Sequence, residues 1–491
     1  MPVKRRTAAF LLGALSVAGF APFHLFFLPI LAIAGLNHLW SENEDGAWTG
    51  FSFGMGLFLF GVSWVYVSLH DFGGMPLPVA VLSTLLFCAF LSIYFAICGK
   101  LQEKFRAGPL LKAVLVIPAM LALCDWARGW LFTGFPWLAF GYSQTDYSPL
   151  SGFAPLFGVY GVSLVTAICG GLVYLLSKPL LRKRAGILLI ILVLSGYGLK
   201  GIDWTSPTGE PVTVSLVQGN IPQDRKWSDT ALEDTLDVYM TLVLSSKARL
   251  IILPETAIPM FIDEVPKEYL EMFRIHGRKN RGDVVAGLPE QLTNHEQTYY
   301  NSVFNFGASP AQVYRKSHLV PFGEYLPLAP LFGWLLDLMH IPMSDFSSGS
   351  ENQKPMKAAG QRLAIDICYE DVFGEEVIRQ LPEATMLVNV SDDAWFGDSV
   401  APRQHMQISQ MRAMETGRMM LRSTNTGMTA VIDPHGKVLS ALPEFREATL
   451  NWTAQGYSGT TPYVRWGNHA FLVVAFVMLA AASITSKIRD F

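Results

Sequence analysis

The chain has 491 residues, enough for two or three domains; 51% are hydrophobic, only 16% are charged, and the mean hydropathy is +0.31. That is too apolar for an ordinary soluble enzyme and points to membrane spans. A net charge of −3 excludes the basic footprint of a nucleic-acid binder.

Lys4, Arg5 and Arg6 precede the first apolar run. A cleavable signal peptide is disfavoured, because further spans follow at once and no small-residue cleavage site is visible. Apolar runs predict helical spans at 8–21, 24–40, 48–69, 77–98, 110–131, 152–176 and 185–199, with an eighth at 470–484. A crossing takes about 20 apolar residues, so the first and seventh are short and need ends that snorkel to the interface. The 12 Trp and 32 Phe suit interfacial belts and lipid contact. Asp125 and Arg128, spaced i, i+3 inside the fifth run, fit an ion pair supporting the Phe135-Pro136-Trp137 loop.

Basic residues cluster at 4–6, 100–106, 178–184 and 487–489. Eight crossings put all four clusters on one side, and the positive-inside rule makes that side cytoplasmic. Both termini are then cytoplasmic, and the polar block between the seventh and eighth spans faces the periplasm. The expected organisation is transmembrane helices 1–7 over 1–200, a periplasmic catalytic domain over 201–465, and transmembrane helix 8 over 466–491.

The polar block alternates short apolar strands with helices. Strands are predicted at 212–217, 250–253, 283–287, 302–306, 311–314, 363–367, 386–390 and 429–432. Helices are predicted at 228–247, 264–279, 372–380 and 402–419, and Asp433-Pro434-His435-Gly436 reads as a hairpin turn. This alternation implies a layered α/β domain.

Five cysteines occur, and only Cys368 lies in the polar block, so it has no evident disulfide partner there. No Cys/His cluster suggests a metal. Cys368 ends a predicted strand and faces a helix start, where amide dipoles favour a thiolate. Glu255 and Lys316 also stand at strand ends. A carboxylate can act as base, an ammonium can stabilise an oxyanion, and a thiol can attack. Taken singly, each has a plainer reading: a buried structural cysteine, a helix cap, a surface ion pair.

Glu, Lys and Cys in that order resemble the catalytic trio of the nitrilase superfamily. The chain as a whole resembles the bacterial apolipoprotein N-acyltransferases, a membrane-embedded branch of it. The likeness is carried by Val217-Gln218-Gly219-Asn220-Ile221-Pro222, by His318-Leu319-Val320-Pro321-Phe322-Gly323-Glu324, by Cys368-Tyr369-Glu370 and by Thr133-Gly134-Phe135-Pro136-Trp137. The resemblance implies a nitrilase-like α-β-β-α sandwich inserted in a polytopic membrane domain of about eight helices. It implies Glu255 as base, Lys316 as oxyanion stabiliser and Cys368 as nucleophile, supported by Trp227, Glu324, Tyr369 and Glu370. It implies ping-pong transfer of an acyl chain from a phospholipid, through a Cys thioester, to the free α-amine of an S-diacylglyceryl cysteine on an apolipoprotein. Cofactors and metals are not expected, nor is a nucleic-acid partner, and a monomer in the bacterial inner membrane is. The family pattern has Asn where this chain has Asp392, which puts a direct role for Asp392 in doubt.

The run 325–343 is too apolar for an exposed loop and too short to span. It reads as an amphipathic lid on the bilayer, with a core helix as the alternative. Two rivals to acyl transfer remain: a membrane-anchored amidase or nitrilase-type hydrolase with water as acceptor, and a transporter or scaffold carrying an inactive nitrilase domain.

Overall fold

The computed structural model describes residues 2–41, 45–145, 147–292, 298–326 and 345–489. Most of the expected lid, 327–343, lies outside them. The chain forms two compact units. One comprises Met1–Tyr66, Leu77–Asp203 and Thr461–Phe491; the other comprises Val67–Pro76 and Trp204–Thr460.

The first unit is helical, and each expected apolar run contains a helix. Length and hydropathy do not support eight crossings. Three helices among the described residues are long and apolar enough to cross a membrane: Leu77–Glu103, Pro109–Arg128 and Pro149–Leu175. A fourth counts if Gly46–Gly61 and Val65–Phe72, bent by 58° at their break, form one span. Pro2–Ser16 and Phe27–Ser41 have 15 residues each. At 1.5 Å per residue that is about 22 Å, short of a hydrocarbon core of about 30 Å.

Small residues let these helices approach closely. A Cβ on Gly50 would sit 2.2 Å from the Phe95 carbonyl oxygen, and one on Gly46 would sit 2.4 Å from that of Gly99. The Asp125–Arg128 pair forms as expected, at 3.0 Å and fully buried. Arg128 also donates to the carbonyls of Phe135 and Trp137, so a buried charge fixes the loop.

The second unit is built on two six-stranded sheets. One has the order β12 (Ala448–Gly459), β1 (Thr205–Gln218), β2 (Leu250–Ile252), β3 (Asp283–Leu292), β4 (Thr298–Gly307), β5 (Val313–Arg315), and the other the order β11 (Val438–Ala441), β10 (Ala430–Ile432), β9 (Met420–Thr424), β8 (Met386–Ser391), β7 (Gln361–Ile367), β6 (Met356–Ala358). The strands that position the site are β1 (Thr205–Gln218), β2 (Leu250–Ile252), β3 (Asp283–Leu292), β4 (Thr298–Gly307) and β5 (Val313–Arg315) in one sheet. In the other they are β7 (Gln361–Ile367), β8 (Met386–Ser391) and β9 (Met420–Thr424). β1, β2 and β3 run parallel, as do β7, β8 and β9. Alternation along each strand builds the layers. Val214, Leu216, Leu250 and Ile252 meet Leu363, Ile365, Ile367, Met386 and Val388 between the sheets. Val217 and Ile251 face the helices Asp229–Ser245 and Lys267–Lys279, while Ala364 and Leu387 face the helix Ala401–Thr416. Both sheets are thus covered on both faces, which is why their strands read as continuous apolar runs.

The strands Met356–Ala358, Met420–Thr424 and Val438–Ala441 were not expected, and the helix expected at 372–380 is reduced to Gly374–Val377 between 3-10 turns; two further features depart from expectation. Ala448–Gly459 is a strand, β12, paired antiparallel with β1 along its length. It is polar on one face, so no apolar run announces it. The expected third span ends early: residues 67–76 belong to the sheet-bearing unit, where Ser68 Oγ donates to the Trp395 carbonyl at 2.8 Å and Phe72 meets the Trp395 ring edge-on.

Candidate active site

Parallel strands deliver their carboxyl ends to a common edge, where open α/β sheets carry their sites. Glu255 comes three residues after β2, Lys316 one after β5 and Cys368 one after β7. Cys368 adopts φ +54°, a left-handed conformation costly for a residue with a Cβ. It opens a short 3-10 turn, Cys368–Val372, instead of an α-helix. Its carbonyl is anchored by Asn389 Nδ2 at 3.2 Å and His405 Nε2 at 3.3 Å.

The Lys316 ammonium, almost fully buried, lies 2.9 Å from Glu324 Oε1 and 3.4 Å from Glu255 Oε1. Burial pulls its pKa down, but Glu324 and then Glu255 outweigh burial and hold it above the usual lysine range. Asn301, on β4, donates from one amide nitrogen to both carboxylates, at 2.8 Å to Glu255 and 2.9 Å to Glu324. The Asp392 backbone N–H reaches the other Glu255 oxygen at 2.8 Å. Glu324 Oε2 accepts from Val320 N at 2.8 Å.

The expectation of a dipole-stabilised thiolate is overturned. Burial pushes the Cys368 thiol well above its ordinary range, the Glu255 carboxylate adds to this, and Lys316 opposes only in part. A 3-10 turn of five residues has too few aligned amides to reverse that. The resting group is a thiol and requires a base.

Glu370 is a buried staple. Its Oε1 accepts from Ser317 N, Ser317 Oγ and His318 N at 2.7, 2.8 and 3.1 Å, and its Oε2 from Ile367 N and Tyr314 OH at 2.8 and 3.0 Å. It therefore binds the segment after Lys316 to the residue before Cys368. Tyr369 packs edge-on against Phe373 and His318. Trp227 is half-buried beside Lys226 and is not among the polar contacts of the trio.

Behind Cys368 lies an ionic network that sequence reading missed. Asp371 Oδ1 is 2.8 Å from His405 Nε2, and Asp393 is 3.0 Å from His405 Nδ1 and 2.8 Å from Arg422 Nη2. Burial and Arg422 push His405 down, but Asp371 and Asp393 prevail and raise it to about 9. Burial pushes Asp393 up, but Arg422 and His405 hold it down at about 2. Lys226 and Asn301 were also missed. Asn301 left only a weak signal, since a second amide, Asn305, lies on the same strand.

Among the described residues no group of three or more His, Cys, Asp or Glu side chains is arranged to hold a metal ion. The set offers a base, a fixed cation and a protected thiol, the components of covalent acyl transfer.

Residues 12–172 match the family model of the apolipoprotein N-acyltransferase N-terminal domain, and residues 213–462 match that of the carbon-nitrogen hydrolases. A protein of Nitrosomonas europaea named apolipoprotein N-acyltransferase is 50% identical over 98% of this chain and 97% of its own. Proteins of that name from Chromobacterium violaceum and Methylococcus capsulatus are 42% and 43% identical, over 94% and 93% of this chain and 90% and 91% of theirs.

Proposed function

The chain belongs to the apolipoprotein N-acyltransferase family, and from that premise we propose that it moves an acyl chain from a glycerophospholipid to the α-amine of an S-diacylglyceryl cysteine by a ping-pong mechanism. It is an acyltransferase of lipoprotein biosynthesis with a carbon-nitrogen hydrolase domain and apolar helices suited to a membrane. Glu255 takes the Cys368 proton, and the thiolate attacks the ester carbonyl. Lys316 and the Tyr369 backbone N–H stabilise the tetrahedral oxyanion. The lysophospholipid alcohol leaves with the proton from Glu255, and a thioester remains on Cys368. The incoming amine gives a proton to Glu255, attacks the thioester and becomes an amide, and the thiol is restored. A thioester is reactive enough to acylate an amine without a nucleotide. Glu324 orients Lys316, Glu370 holds the nucleophile turn, and Trp227 and Tyr369 flank the substrate. The catalytic unit is periplasmic and both termini are cytoplasmic.

The observation that carries this reading is the shared clamp on Lys316, which leaves one cation between the candidate base and its supporting carboxylate. Intact-mass analysis after mixing with phospholipid tests it. The expected result is one acyl adduct on Cys368, discharged as an amide when a diacylglyceryl-cysteine peptide is added. Discharge to water alone, with free fatty acid and no amide, overturns transfer in favour of hydrolysis.

A further inference from the structure

A second buried ion pair reaches Glu255 through backbone groups, the lysine at the Glu255 carbonyl and the aspartate by its own N–H. The Lys226 ammonium is bonded to Asp392 Oδ2, both side chains almost fully buried, and it also lies 3.4 Å from the Glu255 carbonyl oxygen. Asp392 Oδ1 accepts from Asn425 Nδ2 at 3.0 Å and Ala394 N at 3.3 Å. Asn425 in turn holds both backbone groups of Ile221, at 2.8 and 2.9 Å. The segments following β1, β2, β8 and β9 therefore meet at one charged pair, and the backbone of Asp392 completes the hydrogen bonding of Glu255.

A buried pair is costly to desolvate, and apolar packing would serve stability as well. Its position suggests another purpose. We propose that Lys226 and Asp392 are positioning residues that set the proton affinity of Glu255, each offsetting the field of the other at the base. The proposal rests on Glu255 being the base of the acyl-transfer reaction. Other groups face this carboxylate: Lys316 and Glu324 after β5, Asn301 on β4 and Cys368 after β7. Tyr239, from the helix Asp229–Ser245, reaches the pair through Asn425 Oδ1 at 3.4 Å. None of these changes in the substitutions below.

Lys226→Met keeps the length of the side chain and removes its charge. The remaining Asp392 carboxylate then raises the proton affinity of Glu255. Asp392→Asn leaves the ammonium unbalanced and lowers it. A charge within about 4–6 Å moves a carboxyl by one unit or more. The rate of Cys368 acylation by phospholipid is measured against pH for the wild type, each single variant and the double variant, on protein shown by thermal melting to be folded. The acidic limb is expected to move up by about one pH unit in Lys226→Met, down in Asp392→Asn, and back near the wild-type position in the double variant. A purely structural pair lowers the rate without moving the limb. If Lys226→Met fails to fold, Asp392→Asn and the double variant still decide: a limb that does not move down in the first, or that moves further in the second, overturns the proposal. Limbs moving the same way in both single variants overturn it as well. A wild type that never acylates Cys368 is a different failure, that of the acyl-transfer reading itself.

Discussion

Lys316 lies closer to Glu324 than to Glu255, 2.9 Å against 3.4 Å, so Glu324 is the nearer partner of this buried ammonium. Glu324 draws the ammonium aside, and Asn301 keeps the two carboxylates at a fixed separation with one amide.

Removing that restraint has a kinetic signature. Glu324→Gln should free Lys316 to close on Glu255 and slow acylation by about 10²-fold, the scale of losing one oxyanion donor. The Michaelis constant should change little, because the lost contact serves the transition state. Single-turnover acylation of Cys368 measures it, and an unchanged rate would remove Glu324 from this role.

Cys368→Ala and Cys368→Ser should abolish acyl transfer in folded protein. Glu255→Gln should separate two effects of one carboxylate. The negative charge of Glu255 helps to push the Cys368 thiol up. Its loss should make Cys368 more reactive to iodoacetamide at pH 8, by several-fold, while acylation by phospholipid stops. Alkylation and acylation falling together would mean that Glu255 only supports the fold.

The network behind the nucleophile predicts how stability depends on pH. His405 is raised from 6.5 to about 9, so its contribution is complete below 6.5 and is lost as pH rises through 9. Asp393 is depressed from 3.8 to about 2, so its contribution is complete above 3.8 and is lost as pH falls through 2. The melting temperature should therefore be highest between these windows and fall by roughly 5 °C on going from pH 6.5 to 9. His405→Gln should melt lower at pH 6 and show a flatter alkaline decline. An equally steep decline in the variant would assign it to another group.

Topology is tested by reporter fusions at Lys183 and His435, the latter at an exposed turn of the sheet-bearing unit. They should report opposite sides of the membrane. Agreement between them would overturn the placement of the catalytic unit in the periplasm.

The trio could be read from the chain because Glu255, Lys316 and Cys368, each following a strand, stand in the order that resembles the nitrilase pattern, while each residue taken singly had a plainer reading. Leu250–Ile252 precedes Glu255, Val313–Arg315 precedes Lys316, and Gln361–Ile367 precedes Cys368. The expected strands are all present, buried between helices and the facing sheet as their composition requires. What escaped reading depends on contacts between distant segments. Lys226 and Asp392 are 166 residues apart and carry no local signature of pairing. The place of Cys368 at an expected helix start suggested that amide dipoles favour its thiolate, whereas burial, a matter of tertiary packing, pushes the thiol up and the helix start is a short 3-10 turn. β12 is polar because it lies at a sheet edge, where alternation is diluted by exposed residues.

The segment Val67–Pro76 makes the sheet-bearing unit discontinuous in sequence. The ribosome delivers this strap well over a hundred residues before the strands it joins. The contacts of Ser68 and Phe72 with Trp395 can form only once that distant residue has been synthesised. A fragment beginning at Trp204 would lack this strap, and the Asp393–Phe396 turn, which carries the Asp393 partner of His405, would lose its contacts with Ser68 and Phe72.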